Sequence, residues 1–340
     1  MNNDFALEIN EKYTRVCEIK YDAKNKKIEL ISLAVEPTTP LFFSSENEKI
    51  VEKQGEVISK LYGTLKNKSR TAHVIIPDGY TFSQIIEMPK LKEKELLSAI
   101  HYQADEFIPM PIEETSMDLE ILREDPKTHK VLLLIVASPR KIVSQVEKSV
   151  EMAGLIPDTL ENELSACGRL FSEAVTFKGN ATLILNFGFS NSSIYLIDNQ
   201  LSLIMVARTL KIGLDLFVRD IMVNLNWEEK KVYEVLKTIG LNKDASYNIE
   251  SIVMPLLKEL FQELEKIIAM ARDKYNLRVE DIQVFNFDNY IAMLAQKIQA
   301  YFSVPTQSIN LAQNLVANPL AQSNSKDISS YVSVIAANLR

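Results

Sequence analysis

Residues 5–35 and 181–208 carry the same arrangement, three apolar strands joined by short polar turns. The first set is "FALEI" (Phe5 to Ile9), "TRVCEI" (Thr14 to Ile19) and "KIELISLAV" (Lys27 to Val35); the second is "ATLILNF", "SSIYLID" and "LSLIMVAR". Short apolar runs with turn residues between them predict antiparallel meanders. Helical patterns and further strands follow each set. A chain that restarts in this way is expected to fold as two α/β lobes derived from one repeated unit.

The segments between the meanders fill in the plan. Residues 46–65 read as a helix with Ile50, Ile58, Leu61 and Leu65 on one face, and "TAHVIIP" (Thr71 to Pro77) reads as a buried strand ended by the turn signal "PDG". A small module follows. "YTFSQIIEM", "SMDLEIL" and "HKVLLLIVA" read as strands, and "KEKELLSAIHYQADEFI" reads as a helix with Leu96, Ile100, Ala104 and Phe107 at helical spacing. In "SPRKIVSQVEKSVEMAG", Ser138 suits an N-cap, Pro139 the first helical position and Gly154 the C-terminal stop. After the second meander, helices are predicted at 215–224, 228–238 and 251–275, the last with Leu256, Leu260, Leu264, Ile267 and Ala271 in register. "DIQVFNF" reads as a strand, "YIAMLAQKIQAYF" as a helix, and the polar stretch 312–327 as a mobile loop.

The expected division is a first lobe of residues 1–80 and 156–178, an inserted β-α-β-β-α subdomain of residues 81–155, a second lobe of residues 179–224 and 279–340, and a helical subdomain of residues 225–278.

Charge and composition narrow the function. A formal charge of −7 argues against a nucleic-acid groove. The longest apolar run, Val131 to Ala137, is far short of the roughly 20 residues of a membrane span. The opening "MNNDFALEIN" lacks the basic and apolar regions of a signal peptide. Cys17 and Cys167 lie in apolar surroundings and read as reduced, buried thiols, so a cytoplasmic address is expected. His73, His101 and His129 show no metal-ligand spacing. "DAKNKKIE" and "KLKEKE" read as solvated faces. Only 9 of 340 residues are glycine, against an average of about 7%. Loops that cradle phosphate need glycine for close backbone approach, so few can be built here.

Residues 87–114, "EMPKLKEKELLSAIHYQADEFIPMPIEE", resemble the PilM family of type IV pilus assembly proteins, members of the actin-like superfamily that also holds FtsA. The matching positions are Met88-Pro89, Glu95-Leu96, Ala99-Ile100 and Ile108-Pro109-Met110-Pro111. "WEEKKVYEVLKTIGL", "YFSVPTQSIN" and "SYVSVIAANLR" add weaker matches in order along the chain. The resemblance implies an α/β, two-lobed actin-like (ribonuclease H-like) fold with an inserted small α+β subdomain.

It also implies three glycine-bearing nucleotide elements, and all three are altered. The first hairpin keeps an acid at Glu8, but Asn10 stands where glycine is expected, Glu11 follows, and Arg15 replaces a lysine. A carboxylate at the tip repels a triphosphate. In the second hairpin Asn186 replaces an aspartate, while Gly188 and Ser190 persist. A neutral amide offers Mg²⁺ no anionic oxygen and cannot act as a base. Without its ligand this segment is an ordinary serine- and asparagine-rich turn. The third element reads Asn286-Phe287-Asp288-Asn289 instead of a glycine run, and the glycine pair after the second meander is reduced to Gly213 followed by Leu214. The expectation is a pseudo-ATPase with vestigial positions Glu8, Asn10, Arg15, Asn186, Gly188, Ser190 and Gly213, no enzyme activity and no required cofactor. ATP with Mg²⁺ is the alternative ligand.

For function the resemblance implies a cytoplasmic scaffold that holds the N-terminal tail of an inner-membrane PilN-like protein, and through it sits at the inner face of the membrane. The tail would lie extended between the first lobe and the inserted subdomain. Met88, Pro89, Ile100, Ala104 and Phe107 are the candidate contacts, although their spacing also fits core packing. Other pilus components, or those of the related type II secretion machine, are further candidate partners. The alternative is an ATP-binding actin-like ATPase or an FtsA-like filament former. An FtsA-like role would call for a C-terminal amphipathic membrane helix, which "SSYVSVIAANLR" does not supply.

Overall fold

In the computed structural model, which describes residues 4–66, 69–91, 95, 100, 108–243 and 247–340, the first apolar run forms β1 (Phe5–Ile9) and is buried at every residue. β1 pairs antiparallel with β2 (Tyr13–Asp22) and parallel with β4 (Thr71–Ile76). With β3 (Lys27–Pro37) and β8 (Ile156–Asn162) the sheet order is β3-β2-β1-β4-β8. Parallel neighbours need a crossover, and α1 (Glu48–Tyr62) lies between β3 and β4 in the chain. Ile58 and Leu61 of α1 pack with Phe5, Leu7 and Ile9, together with Val146 and Val150 of α2 (Arg140–Met152). At Gly55 a Cβ would lie 3.0 Å from the Met152 Cβ and 3.1 Å from the Ser149 carbonyl oxygen, so glycine sets how closely α1 and α2 cross.

The second meander builds the same topology again. β9 (Ala181–Phe187) pairs antiparallel with β10 (Ser192–Asp198) and parallel with β12 (Val279–Asn286). With β11 (Leu203–Leu210) and β13 (Thr306–Ser308) the order is β11-β10-β9-β12-β13. β9 and β10 are buried almost throughout, which is why their sequences are near-continuous apolar runs. The helices around this sheet are α3 (Glu163–Glu173), α4 (Leu214–Leu225), α5 (Glu229–Thr238), α6 (Ile249–Tyr275), α7 (Leu294–Phe302), α8 (Pro319–Ser323) and α9 (Val332–Ala337). The buried stripe of α6 runs through Val253, Leu257, Leu260, Leu264, Ile267 and Ala271, so Leu257 takes the place expected for Leu256.

The inserted module is a three-stranded antiparallel sheet. β5 (Phe82–Pro89), β6 (Thr115–Asp125) and β7 (Lys130–Pro139) lie in the order β5-β7-β6. Ile100, Ile108, Leu133, Ile135 and Ala137 form its core. The expected helix of this module falls largely outside the described residues.

The chain divides into two compact units, residues 1–18, 32–166 and 340 in one, and residues 19–31 and 167–339 in the other. Two local expectations are corrected. Ser138 is not a helix cap, because β7 continues through Pro139 and the Ser138 hydroxyl donates to the Tyr80 carbonyl at 3.0 Å. Residues 312–327 are not a free loop. Ile28 donates to the Asn314 carbonyl and accepts from Val316, both at 2.8 Å, and Asn318 caps α8 while its Nδ2 donates to the Leu30 carbonyl at 2.9 Å. Gly154 does end its helix, at φ +76°.

Candidate functional site

The first hairpin places Glu8, Asn10 and Arg15 together, all buried. Glu8 and Arg15 face each other across β1 and β2. Arg15 Nη1 donates to Glu8 Oε1 at 2.6 Å, and Asn10 Nδ2 donates to the same oxygen at 2.9 Å. Asn10 Oδ1 accepts from the Lys12 and Tyr13 amides at 3.0 and 2.7 Å, which closes the turn by the side-chain route that asparagine favours. Asn10 is therefore a turn former whose side-chain oxygen and nitrogen are both bonded. The Glu8 carboxylate has a buried guanidinium as its counter-ion, and its Oε2 has no hydrogen-bond partner among the described residues.

The second hairpin meets α4. Gly188 and Phe189 direct their carbonyls at the start of that helix: Leu214 N donates to the Gly188 oxygen at 3.1 Å and Asp215 N to the Phe189 oxygen at 3.0 Å. A helix N-terminus binds anions through its unsatisfied amides. Here two of them are bonded to the preceding loop. Both glycines serve this approach. A Cβ at Gly188 would collide with the Asn191 carbonyl oxygen, and one at Gly213 would collide with the Phe189 carbonyl. Ser190 is half-buried beside this contact. Asp215, in the first turn of α4, is half-buried, and that burial pushes its carboxyl above the usual carboxylate range, against the pull of its own turn's amides and Arg219.

The end of β12 completes this half. Asn286, at φ +83°, donates from Nδ2 to Asn186 Oδ1 at 2.9 Å, and Phe287 N donates to the Phe187 carbonyl at 2.9 Å. Phe287 is fully buried, with its ring 5.8 Å from Phe189 and 5.4 Å from Tyr290. Asp288 is buried, and its Oδ1 accepts from the Ser329 hydroxyl at 2.9 Å. Burial holds its carboxyl above the ordinary range, while the Ser308 and Ser329 hydroxyls pull it down. Ser330 Oγ donates to the Asn286 carbonyl at 2.7 Å. Sequence patterning did not single out Ser329, Ser330 or Asp215, since none lies in a glycine-bearing element or on an apolar face.

Three of the five expected partner residues are described, and all three lie in the inserted module. Met88 and Pro89 end β5, Met88 against the inserted core and Pro89 exposed. Ile100 is buried within that core. Ala104 and Phe107 lie outside the described residues. Within the same unit a recess of about 200 Å³ is lined by Ile108, Ile112, Thr115, Met117 and Arg140. Arg140 Nε donates to the Thr115 carbonyl at 3.0 Å. Among the described residues no group of acids, histidines or cysteines could hold a metal, and no helix is long and apolar enough to cross a membrane.

The family model described as type IV pilus assembly protein PilM matches residues 7–339. The chain belongs to that family. A solved PilM-PilN type IV pilus biogenesis complex contains a chain that is 20% identical, with TM-score 0.84, over 99% of this chain and 98% of that one. The ethanolamine utilization protein EutJ from Carboxydothermus hydrogenoformans matches with TM-score 0.57 at 10% identity, over 99% of this chain and 89% of that one. MreB 5 of Spiroplasma citri bound to AMPPNP matches with TM-score 0.51 at 11% identity, over 100% and 96%. The PilM-family chain thus has the α/β actin-like fold that the resemblance implies, with each of the two meanders opening one five-stranded sheet.

Proposed function

We propose that this PilM-family chain is a cytoplasmic scaffold of type IV pilus assembly that binds the N-terminal tail of an inner-membrane PilN-like protein and hydrolyses no ATP. The family match over residues 7–339 carries the assembly role, and the PilN in the similar solved complex supports the choice of partner. The bonds from Leu214 N and Asp215 N to the preceding loop, and the buried Phe287, support the loss of turnover. The decisive experiment is twofold. The full chain is used to capture detergent-solubilised inner-membrane proteins, with a PilN-like protein lacking its cytoplasmic tail as control, and it is titrated with ATP and Mg²⁺. Tail-dependent capture without phosphate release is expected.

One observation favours the second reading, an ATP-binding actin-like ATPase or FtsA-like filament former. Glu8 Oε2 is buried without a hydrogen-bond partner among the described residues, as it would be at an unfilled ligand position. Micromolar ATP affinity with Mg²⁺-dependent phosphate release would replace the first reading with this one.

A further inference from the structure

Residues 20–27, "KYDAKNKK", hold four lysines and one acid in a chain whose net charge is −7. They form the end of β2, the turn that follows it and the first residue of β3. Full burial along β2 ends at Glu18, and every residue from 22 to 27 is exposed, so the turn projects into solvent. Its shape is fixed locally. Asp22 Oδ1 accepts from the Lys24 and Asn25 amides at 3.1 and 3.2 Å, and Asp22 Oδ2 accepts from Asn25 Nδ2 at 2.6 Å. The base of the turn is tied as well. The Tyr21 hydroxyl donates to the Glu173 carbonyl at 3.1 Å, Lys27 Nζ to the Gln313 carbonyl at 2.6 Å, and Asn314 Nδ2 to the Lys26 carbonyl at 3.3 Å. Glu173, exposed at the end of α3, thus stands at the base and not at the tip. Both oxygens of Asp22 are engaged by the turn. Lys20, Lys24 and Lys26 are exposed, and among the described residues none of the three forms an ion pair with a carboxylate.

At physiological salt the Debye length is about 8 Å, so a surface that meets this turn responds to its lysines and not to the net charge of the whole chain. An anionic bilayer attracts lysines that come within that distance. We propose that the turn between β2 and β3 rests on the anionic lipid surface of the membrane that anchors the partner, with Lys20, Lys24 and Lys26 against headgroup phosphates. This inference rests on the function proposed above, which brings the chain to that membrane, and adds a second contact with it. Each lysine at such a surface strengthens binding roughly fivefold, so three supply about a hundredfold. The contact is weak at cellular salt, strengthens as salt is lowered, and suffices to orient a protein already tethered to the same membrane. A three-lysine tip is small for a nucleic-acid site, in which a basic face follows the backbone.

The test uses the full chain and flotation with vesicles of phosphatidylcholine alone, or of equal parts phosphatidylcholine and phosphatidylglycerol, at low salt. Binding to the anionic vesicles only is expected, and its loss when the salt is raised. K20Q/K24Q/K26Q, checked for an unchanged melting temperature, should bind them at least about tenfold more weakly. K49Q/K53Q/K258Q, which removes the same charge from exposed lysines of α1 and α6, should bind as the parent chain does. No binding to anionic vesicles, equal binding to neutral ones, unchanged binding by K20Q/K24Q/K26Q, or an equal loss in both variants would overturn the proposal. So would lysine-dependent binding of a DNA duplex in place of vesicles. Capture of a PilN-like protein from detergent involves no bilayer, so it should be the same for the parent chain and K20Q/K24Q/K26Q. Capture without vesicle binding leaves the scaffold function standing and removes the lipid contact. Lysine-dependent vesicle binding without capture keeps the lipid contact and removes the scaffold reading.

Discussion

Asn286 Nδ2 lies 2.9 Å from Asn186 Oδ1, joining the ends of the parallel strands β12 and β9 where the resemblance to nucleotide-binding relatives calls for an aspartate and a glycine run. Both residues are buried, and Asn186 Nδ2 also reaches the Tyr195 hydroxyl at 3.5 Å. The Asn186 side-chain carbonyl oxygen thus has its donor within the chain, across the pair of strands whose ends the two residues occupy.

Restoring the carboxylate should therefore not restore catalysis. N186D keeps the bond from Asn286 but buries a charge and gives up the donor facing Tyr195. The expected outcome is a loss of about 1–3 kcal/mol in denaturant unfolding and no gain in ATP-dependent phosphate release. A stable N186D that releases phosphate would show that the Asn286 pair does not define this site.

The Glu8–Arg15 pair is a second place where one substitution should cost more than two. R15M leaves the Glu8 carboxylate buried without its counter-ion, and a loss of about 3–5 kcal/mol is expected from urea titration. E8L/R15M removes both charges and should recover most of that loss. A double variant as unstable as R15M would mean that the carboxylate is not the source of the penalty.

Gly213 gives a steric prediction. Its φ of −151° suits any residue, so the requirement lies in the contact with the Phe189 carbonyl. G213A should force the hairpin off α4 and lower stability by about 1–3 kcal/mol. Hydrogen exchange at the Leu214 and Asp215 amides, which is slow while they are bonded to the hairpin, should accelerate in the variant.

Two buried groups should shape the dependence of stability on pH, in opposite senses. Burial pushes the His73 imidazole below the ordinary histidine value of about 6.5, against the upward pull of Asp4, Asp158 and Glu161; Arg340 adds to the downward push. The unfolded chain then binds the proton first, so stability falls as pH drops through about 6.5, and H73Q should flatten that limb. Asp288 is raised instead, so stability falls as pH rises from about 4, the unfolded carboxylate value, and D288N should flatten that limb. Urea midpoints measured between pH 4 and 8 check both.

The meanders were legible because burial on both faces writes itself into the composition of a strand. Gly154 was legible because a helix stop is a local event. Ser138 and residues 312–327 were misread because their partners, the Tyr80 carbonyl and the backbone at Ile28 and Leu30, are distant in sequence. The glycines at 188 and 213 were legible as sites of close approach, but a glycine does not name what approaches it. Here a carbonyl of the chain itself fills that role at each. Asn10 is the converse. It was read as a missing glycine, and its own side chain makes the turn.

The bonds from Leu214 N and Asp215 N to the loop ahead of them carry one more consequence. A helix capped by a diffusible anion is only as well formed as the concentration of that anion allows. At the start of α4 two of the amides meet carbonyls that arrive with the chain itself, so this much of the cap is fixed by covalent connection and needs no second molecule.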